Sequence, residues 1–232
     1  MKTIQHAYNL PMKFAGLLLA ALVGSALCCC GQQLSPPNSI TITSKKLPKA
    51  SLWNRYSFQL QAAGGSTPYH WRVVEGSLPR GIRLQDDGTL EGELEQQTQT
   101  DFTLTAIDRM GKHQFRKFAL ATETPLMTDW SHKAQVNGLR IDGSIKVSNT
   151  TGRDFDLTFV VLAVNDIGRA TAIGYQHFSL KQNTKDMEIP FGDTLSFGNY
   201  VVNVDVVGEE SQSNMIFRSR LVSEKEVIAQ GP

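Results

Sequence analysis

From Ile40 onward, apolar residues recur at every second position in short segments broken by turn residues, and no segment keeps a helical period. Tyr56, Phe58, Leu60 and Ala62 alternate with polar neighbours. Gly64-Gly65-Ser66-Thr67-Pro68 then turns the chain, and Tyr69, Trp71 and Val73 resume the alternation, which predicts a hairpin with one buried face. Ile82 and Leu84 follow a Ser77–Gly81 bend. Asp87-Gly88 turns into Leu90, Gly92 and Leu94; Phe102, Leu104 and Ala106 precede the turn Arg109-Met110-Gly111, and a last strand runs through Phe118 and Leu120. The pattern predicts seven antiparallel strands over residues 39–123.

Residues 124–134, beginning Thr124-Pro125, read as a proline-containing linker, after which strand patterns restart over 135–223. Val136, Leu139 and Ile141 form one segment and Ile145 and Val147 another, ahead of a turn at Asn149–Gly152. Phe155 to Ala163 alternates into Asn165–Gly168; Ala170 to Leu180 and Met187 to Phe191 follow. Tyr200 to Val207 is nearly continuously apolar, as a central sandwich strand is, and Ile216 to Val222 would close the sheet. Residues 224–232 form a charged tail expected to fray. The expected fold is all-β: two tandem Ig-like antiparallel β-sandwich domains.

The N-terminus has a different pattern. Lys13 is followed by 14 uninterrupted small and apolar residues, Phe14 to Leu27, too short a run to span a bilayer and matching the h-region of an export signal. Met12-Lys13 directly precedes the run, so translation from Met12 would give a more compact signal. The run ends in Leu27-Cys28-Cys29-Cys30-Gly31, which resembles a bacterial lipobox. Cys30 has Leu27 three residues before it and a small residue directly before it; Cys29 and Cys28 are the alternatives. The resemblance implies a signal peptide over 1–29, lipidation of Cys30 and a polar tether over 30–38 whose two prolines favour an extended chain. It further implies an exported, membrane-anchored bacterial lipoprotein. Gly31 in place of an inner-membrane retention aspartate favours the outer membrane.

Composition narrows the chemistry. Removing residues 1–29 leaves 21 basic and 22 acidic residues with no run of one sign, so there is no footprint for nucleic acid. The three cysteines stand together and none follows, so neither module holds a disulfide, a thiolate nucleophile or a cysteine-bound metal. No cofactor is expected.

Within the first module Gly64, Gly65, Pro68, Tyr69, Trp71, Gly76, Leu78, Pro79, Gly81, Gly88, Leu90, Gly92, Phe102, Ala106, Asp108 and Gly111 occur in the order and spacing of one family. The module resembles the "putative Ig" domain family, related to dystroglycan-type cadherin modules. Leu94 stands where that family usually has a proline after the hairpin, with Glu93 between. The resemblance implies a fold and a role in adhesion or spacing, and no reaction. The second module is similar, in strand order and its Gly198-x-Tyr200 entry, to fibronectin- or Ig-like modules.

Asp108 is a calcium candidate by analogy with cadherins, but it lacks neighbouring acids and reads as a turn residue. Asn149-Thr150-Thr151 fits a glycosylation sequon, but in a bacterial lipoprotein it reads as a β-turn. His70 and Trp71 read as surface and core. Asp166 and Asp205 form no carboxylate pair that can be placed together. The expected function is a non-enzymatic envelope lipoprotein whose modules space or present a protein-binding surface, its partners a membrane through the lipid and a protein of the envelope. Two alternatives remain: a glycan-binding module using Tyr69, Trp53 or Trp130 as stacking platforms, and a hydrolase should His132 or His177 lie in a deep pocket beside an acid.

Overall fold

A computed structural model describes residues 39–229, and every regular element among them is a β-strand. The signal-peptide, lipidation and tether readings at residues 1–38, Cys28, Cys29 and Cys30 included, lie outside the described residues.

The first sandwich comprises β1 (Thr41–Ile42), β2 (Arg55–Gln59), β3 (Ala62–Ala63), β4 (His70–Gly76), β5 (Ile82–Leu84), β6 (Thr89–Glu93), β7 (Gln99–Ile107) and β8 (His113–Ala121). One sheet has the order β2-β6-β5 and the other β4-β7-β8, while β1 and β3 pair at one edge. Ile42, Leu52, Leu90, Phe102, Leu104 and Leu120 fill the space between them with at most 2% of their surface exposed. Complete burial of side chains this size contributes about 1.5–3 kcal/mol each.

Two expectations change here. The segments around Tyr56 and Trp71 do not form a hairpin: β2 pairs with β6 and β4 with β7, so they lie in opposite sheets and meet across the core. Their alternation was real, but it recorded burial against the same core, not pairing with each other. The single strand expected through Ala62 is split, because Ala62 and Ala63 pair with Ile42 and Thr41, leaving eight strands where seven were expected.

The second sandwich comprises β9 (Leu126–Asn137), β10 (Arg140–Asn149), β11 (Phe155–Asn165), β12 (Ala170–Leu180), β13 (Met187–Thr194), β14 (Gly198–Glu210) and β15 (Met215–Ile228). A β13-β10-β9 sheet faces a β12-β11-β14-β15 sheet, all antiparallel. Ile141, Ile145 and Val147 of β10 meet Phe155, Leu157, Phe159 and Val161 of β11 and Val202, Val204 and Val206 of β14, none more than 1% exposed. The period-two pattern thus sorts residues inward as expected.

Residues 126–134, read from sequence as linker, lie within β9, which pairs with β10 along its length. Leu126 and Ala134 both point inward, but register shifts between Asp142, Ser144 and Ile145 interrupt the alternation and the polar stretch between them hides the period. The segment from Val136 to Ile141 is two strands: Gly138 and Leu139 form a two-residue turn with φ 65° at Gly138, and Leu139 is exposed. The tail expected from 224 is strand to Ile228, which pairs with Gly198 and is 2% exposed.

Candidate functional site: a built joint and two loop-bearing ends

The junction between the sandwiches is the most elaborately built region of the molecule. Ala50 bridges Thr122, and the Glu123 amide donates to the Ala50 carbonyl. Leu52 bridges Leu94, and the Gly152 amide of the second module donates to the Leu52 carbonyl at 2.9 Å. Trp53 follows with φ 55°, a conformation that costs a bulky L-residue energy and persists only where surroundings enforce it. Its ring lies edge-on to Phe217 at 6.1 Å, the Arg153 guanidinium stands 4.8 Å above it, and Phe217 stacks on Phe155 at 5.2 Å. Asn54 reaches the Thr150 carbonyl and, at 2.9 Å, the Asn183 side chain. Gly152 has no room for a side chain, because a Cβ there would collide with the Trp53 carbonyl.

The second module's half of this joint rests on two buried polar side chains. Asn149, fully buried, accepts from the Thr151 amide and hydroxyl and donates to the carbonyls of Arg153 (2.8 Å) and Lys181 (3.2 Å). All of its hydrogen-bonding capacity is therefore spent internally, and the sequon asparagine is a loop-forming residue with no accessible amide to modify. Glu210, 2% exposed, pairs with Arg153 and accepts from the Gln212 and Ser213 amides and the Ser213 hydroxyl. Burial pushes its carboxyl upward, yet Ser213, Gln212 and Arg153 together hold it below the usual value.

At the opposite end of the first module, Asp108 organises a second loop. Its carboxylate accepts from the amides of Ser66 (3.0 Å), Met110 (2.9 Å) and Lys112 (2.8 Å). Burial again raises its pKa and the three amides again win, leaving it lowered. Both oxygens are occupied by donors, the geometry of a loop clamp. Among the described residues no cluster of three metal-ligating side chains occurs, at Asp108 or elsewhere.

The remaining family-like positions build the frame around this loop. Gly64 abuts Ser39, Gly65 abuts Asp108, Pro68 follows a cis bond, and the Tyr69 hydroxyl donates to the Gly64 carbonyl at 2.6 Å. Trp71 is 3% exposed and leaves no room for a side chain at Gly88. Leu78 packs on the core, and the buried Pro79 accepts from the Ile82 amide. Gly81 and Gly92 let β5 and β6 approach so closely that a Cβ on either would strike the other strand's backbone. Gly111 closes the Asp108 turn through its amide.

The far end of the second module gathers three loops. The Leu195 amide donates to the Leu139 carbonyl, and Asn199 donates to Asp166, which also pairs with Lys225. Leu139, Ile167 and Phe197 stand out from these loops, Ile167 with 86% of its surface exposed. Ile167 and Phe197 fall outside the alternation, and Leu139, expected within a strand segment, also sits in a turn.

Of the stacking candidates, Trp53 is buried in the joint, Trp130 packs on Phe191 at 6.2 Å, and Tyr69 is partly buried; no coplanar exposed pair is formed by them. His132 does lie beside an acid: its Nδ1 is 2.9 Å from the Ser144 hydroxyl and 3.2 Å from Glu188, whose pKa Ser144, Ser131 and His132 lower. However, Ser144 donates to Glu188 at 2.5 Å and one imidazole nitrogen meets both groups, whereas a catalytic relay uses opposite ring nitrogens. His177 pairs with Asp156 and Thr158 on the sheet surface. Two described clefts, of about 790 Å3 beside Arg80, Arg83 and Glu93 and about 610 Å3 beside Gln61, Tyr69 and Asp87, lie in the first module and include neither histidine. His70 pairs with Asp86, and Asp205 with Arg220, away from Asp166.

Both modules are antiparallel β-sandwiches. A family model described as "Putative Ig domain" matches residues 38–123. No curated protein matches the chain. Among solved structures it is similar to the fibronectin(III)-like modules of CbhA from Clostridium thermocellum, at 12% identity over 82% of this chain and 93% of that one, with a TM-score of 0.27. It is also similar to cadherin domains 3–6 of protocadherin gamma B2, at 12% identity over 82% and 47%, TM-score 0.33. A protein described as a putative alpha-galactosidase from Bacteroides fragilis is similar at 17% identity over 38% of this chain, TM-score 0.34; the match spans only 18% of that chain's length. These likenesses do not bear on activity.

Proposed function

We propose that this protein is an exported, lipid-anchored envelope protein of the outer membrane, non-enzymatic, in which two Ig-like modules form a stiff spacer and present the loops around Leu139, Ile167 and Phe197 to a protein partner. The observation that carries this reading is Trp53, whose strained backbone is tied to the first module by the hydrogen bond from its amide to the Leu94 carbonyl and whose ring meets Phe217 and Arg153 of the second. A flexible string of domains would have no use for such a residue. Ser39 packs against Gly64 at the end of the first module opposite the joint. The exposed apolar side chains at the Leu139, Ile167 and Phe197 loops fit a protein-binding surface.

The test is in two parts. Intact-mass measurement of the membrane fraction should find a chain beginning at Cys30 with added acyl mass, and Cys30→Ala should abolish it; an unacylated soluble chain contradicts the anchor. Ile167→Asp with Phe197→Ser should then abolish capture of a partner by cross-linking in cells while the fold and anchoring persist. Unchanged capture contradicts the role given to the loops.

A further inference from the structure

The two sheets of the second sandwich turn different surfaces outward. In β11 the buried Leu157, Phe159, Val161 and Ala163 point into the core, so Thr158, Val160, Leu162 and Val164 point out, all partly exposed. Val201 and Val207 of β14 stand on the same face, Val201 paired with Val164 and Val207 with Thr158, and the exposed Tyr175 of β12 pairs with Val160. The β13-β10-β9 sheet gives the contrast. With Ile141, Ile145 and Val147 inward, β10 turns Arg140, Asp142, Lys146 and Ser148 outward, and Glu188 of β13 pairs with Lys146. A sheet face left to water is polar, as that one is. The β12-β11-β14-β15 face instead has an apolar middle on its two central strands, as an interaction surface has.

We propose that this face is a self-association surface on which a second copy of this chain packs sheet to sheet. Charge identifies the occupant. Among the strand residues turned outward, the β14-β15 flank carries Arg218, Arg220 and Lys225 against Asp205 and Glu209, while the β11-β12 flank carries Asp156 beside His177. Arg220 pairs with Asp205 and Lys225 with Asp166, which leaves the exposed Arg218 to meet the other copy. A two-fold axis running along the strands lays β15 of each copy over β12 of the other, apolar middle on apolar middle, with Arg218 reaching Asp156 at both flanks. The face therefore complements itself, which a surface made for an unrelated protein need not do. The area agrees: the span from Asp156 to Val164 across the four strands covers about 30 Å by 20 Å, or about 1,200 Å2 for the pair, the lower bound of stable interfaces. A dissociation constant of micromolar order is expected. The inference stands apart from the lipid anchor and from the loops around Ile167.

The test is sedimentation velocity on the full-length protein in nonionic detergent over a range of concentrations. The chain should sediment with twice its mass and fall toward one chain on dilution. Leu162→Lys with Val201→Lys should raise the dissociation constant by about tenfold or more with the far-ultraviolet circular dichroism unchanged. Arg218→Glu should raise it by about fivefold, and Arg218→Glu with Asp156→Lys should restore it. Protein that stays a single chain at about 100 μM overturns the proposal. So does an association that these substitutions leave unchanged, as two chains merely sharing a micelle would show.

Discussion

Two loops in this protein are built by the same device and used in opposite ways. At Asp108 and at Asn149 a short side chain takes the place of a partner strand and satisfies backbone groups of the turn that follows it. The Asp108 loop is then left open to solvent with Met110 at its apex, whereas the Asn149 loop is covered by Trp53 from the neighbouring module. A clamped loop is rigid whether or not anything covers it. What lies over it decides whether it becomes a surface or a joint.

The comparison can be broken most forcefully at Trp53. Trp53→Ala removes a large buried side chain and should cost about 3–5 kcal/mol. It should also split a single calorimetric transition into two as the modules uncouple; one transition with unchanged midpoint would show that the joint transmits nothing. Asn149→Ala strands a buried amide and several carbonyls and should cost about 2–3 kcal/mol by urea denaturation. Asn149→Asp would keep the acceptor but turn a carboxylate oxygen toward the carbonyls that the amide meets, and should cost at least as much.

Acid sharpens the comparison from another side. The folded-state pKa values of Asp108 and Glu210 are both lowered, so each contributes stability that is present above the ordinary carboxyl range and is lost as pH falls through it. The melting temperature should hold level from pH 7 to about 5 and decline below about 4. Glu210→Gln should flatten that decline while lowering stability at neutral pH; a decline of unchanged depth would remove Glu210 from the account. The smallest effect belongs to the open loop, where Met110→Ser should change stability by no more than about 0.5 kcal/mol by denaturant titration.

The first module was far more legible in the sequence than the second. Its glycines mark places where two backbones touch, as Gly81 and Gly92 do, or where a ring lies against the chain, as at Gly88, and such requirements leave a fixed spacing behind. Strand pairing was less legible, because alternation records which face is buried and not which strand is the neighbour; hence the misplaced hairpin between Tyr56 and Trp71. In the second module a bulge near Ser144 masks the period of β9, and the Asn137-Gly138 turn is embedded in an apolar segment. The joint left the faintest trace of all. Trp53, Gly152, Arg153 and Phe217 are far apart in the chain, and each taken alone reads as an ordinary core, turn or surface residue.

The central claim is that the modules are joined rigidly through Trp53. Its most direct measurement is a spin-label distance distribution between Lys46→Cys in the first module and Lys146→Cys in the second, both exposed, in the otherwise cysteine-free chain from Gly31 onward. A single narrow distribution that broadens on Trp53→Ala is the predicted result. A broad distribution in the unsubstituted chain would contradict the stiff spacer.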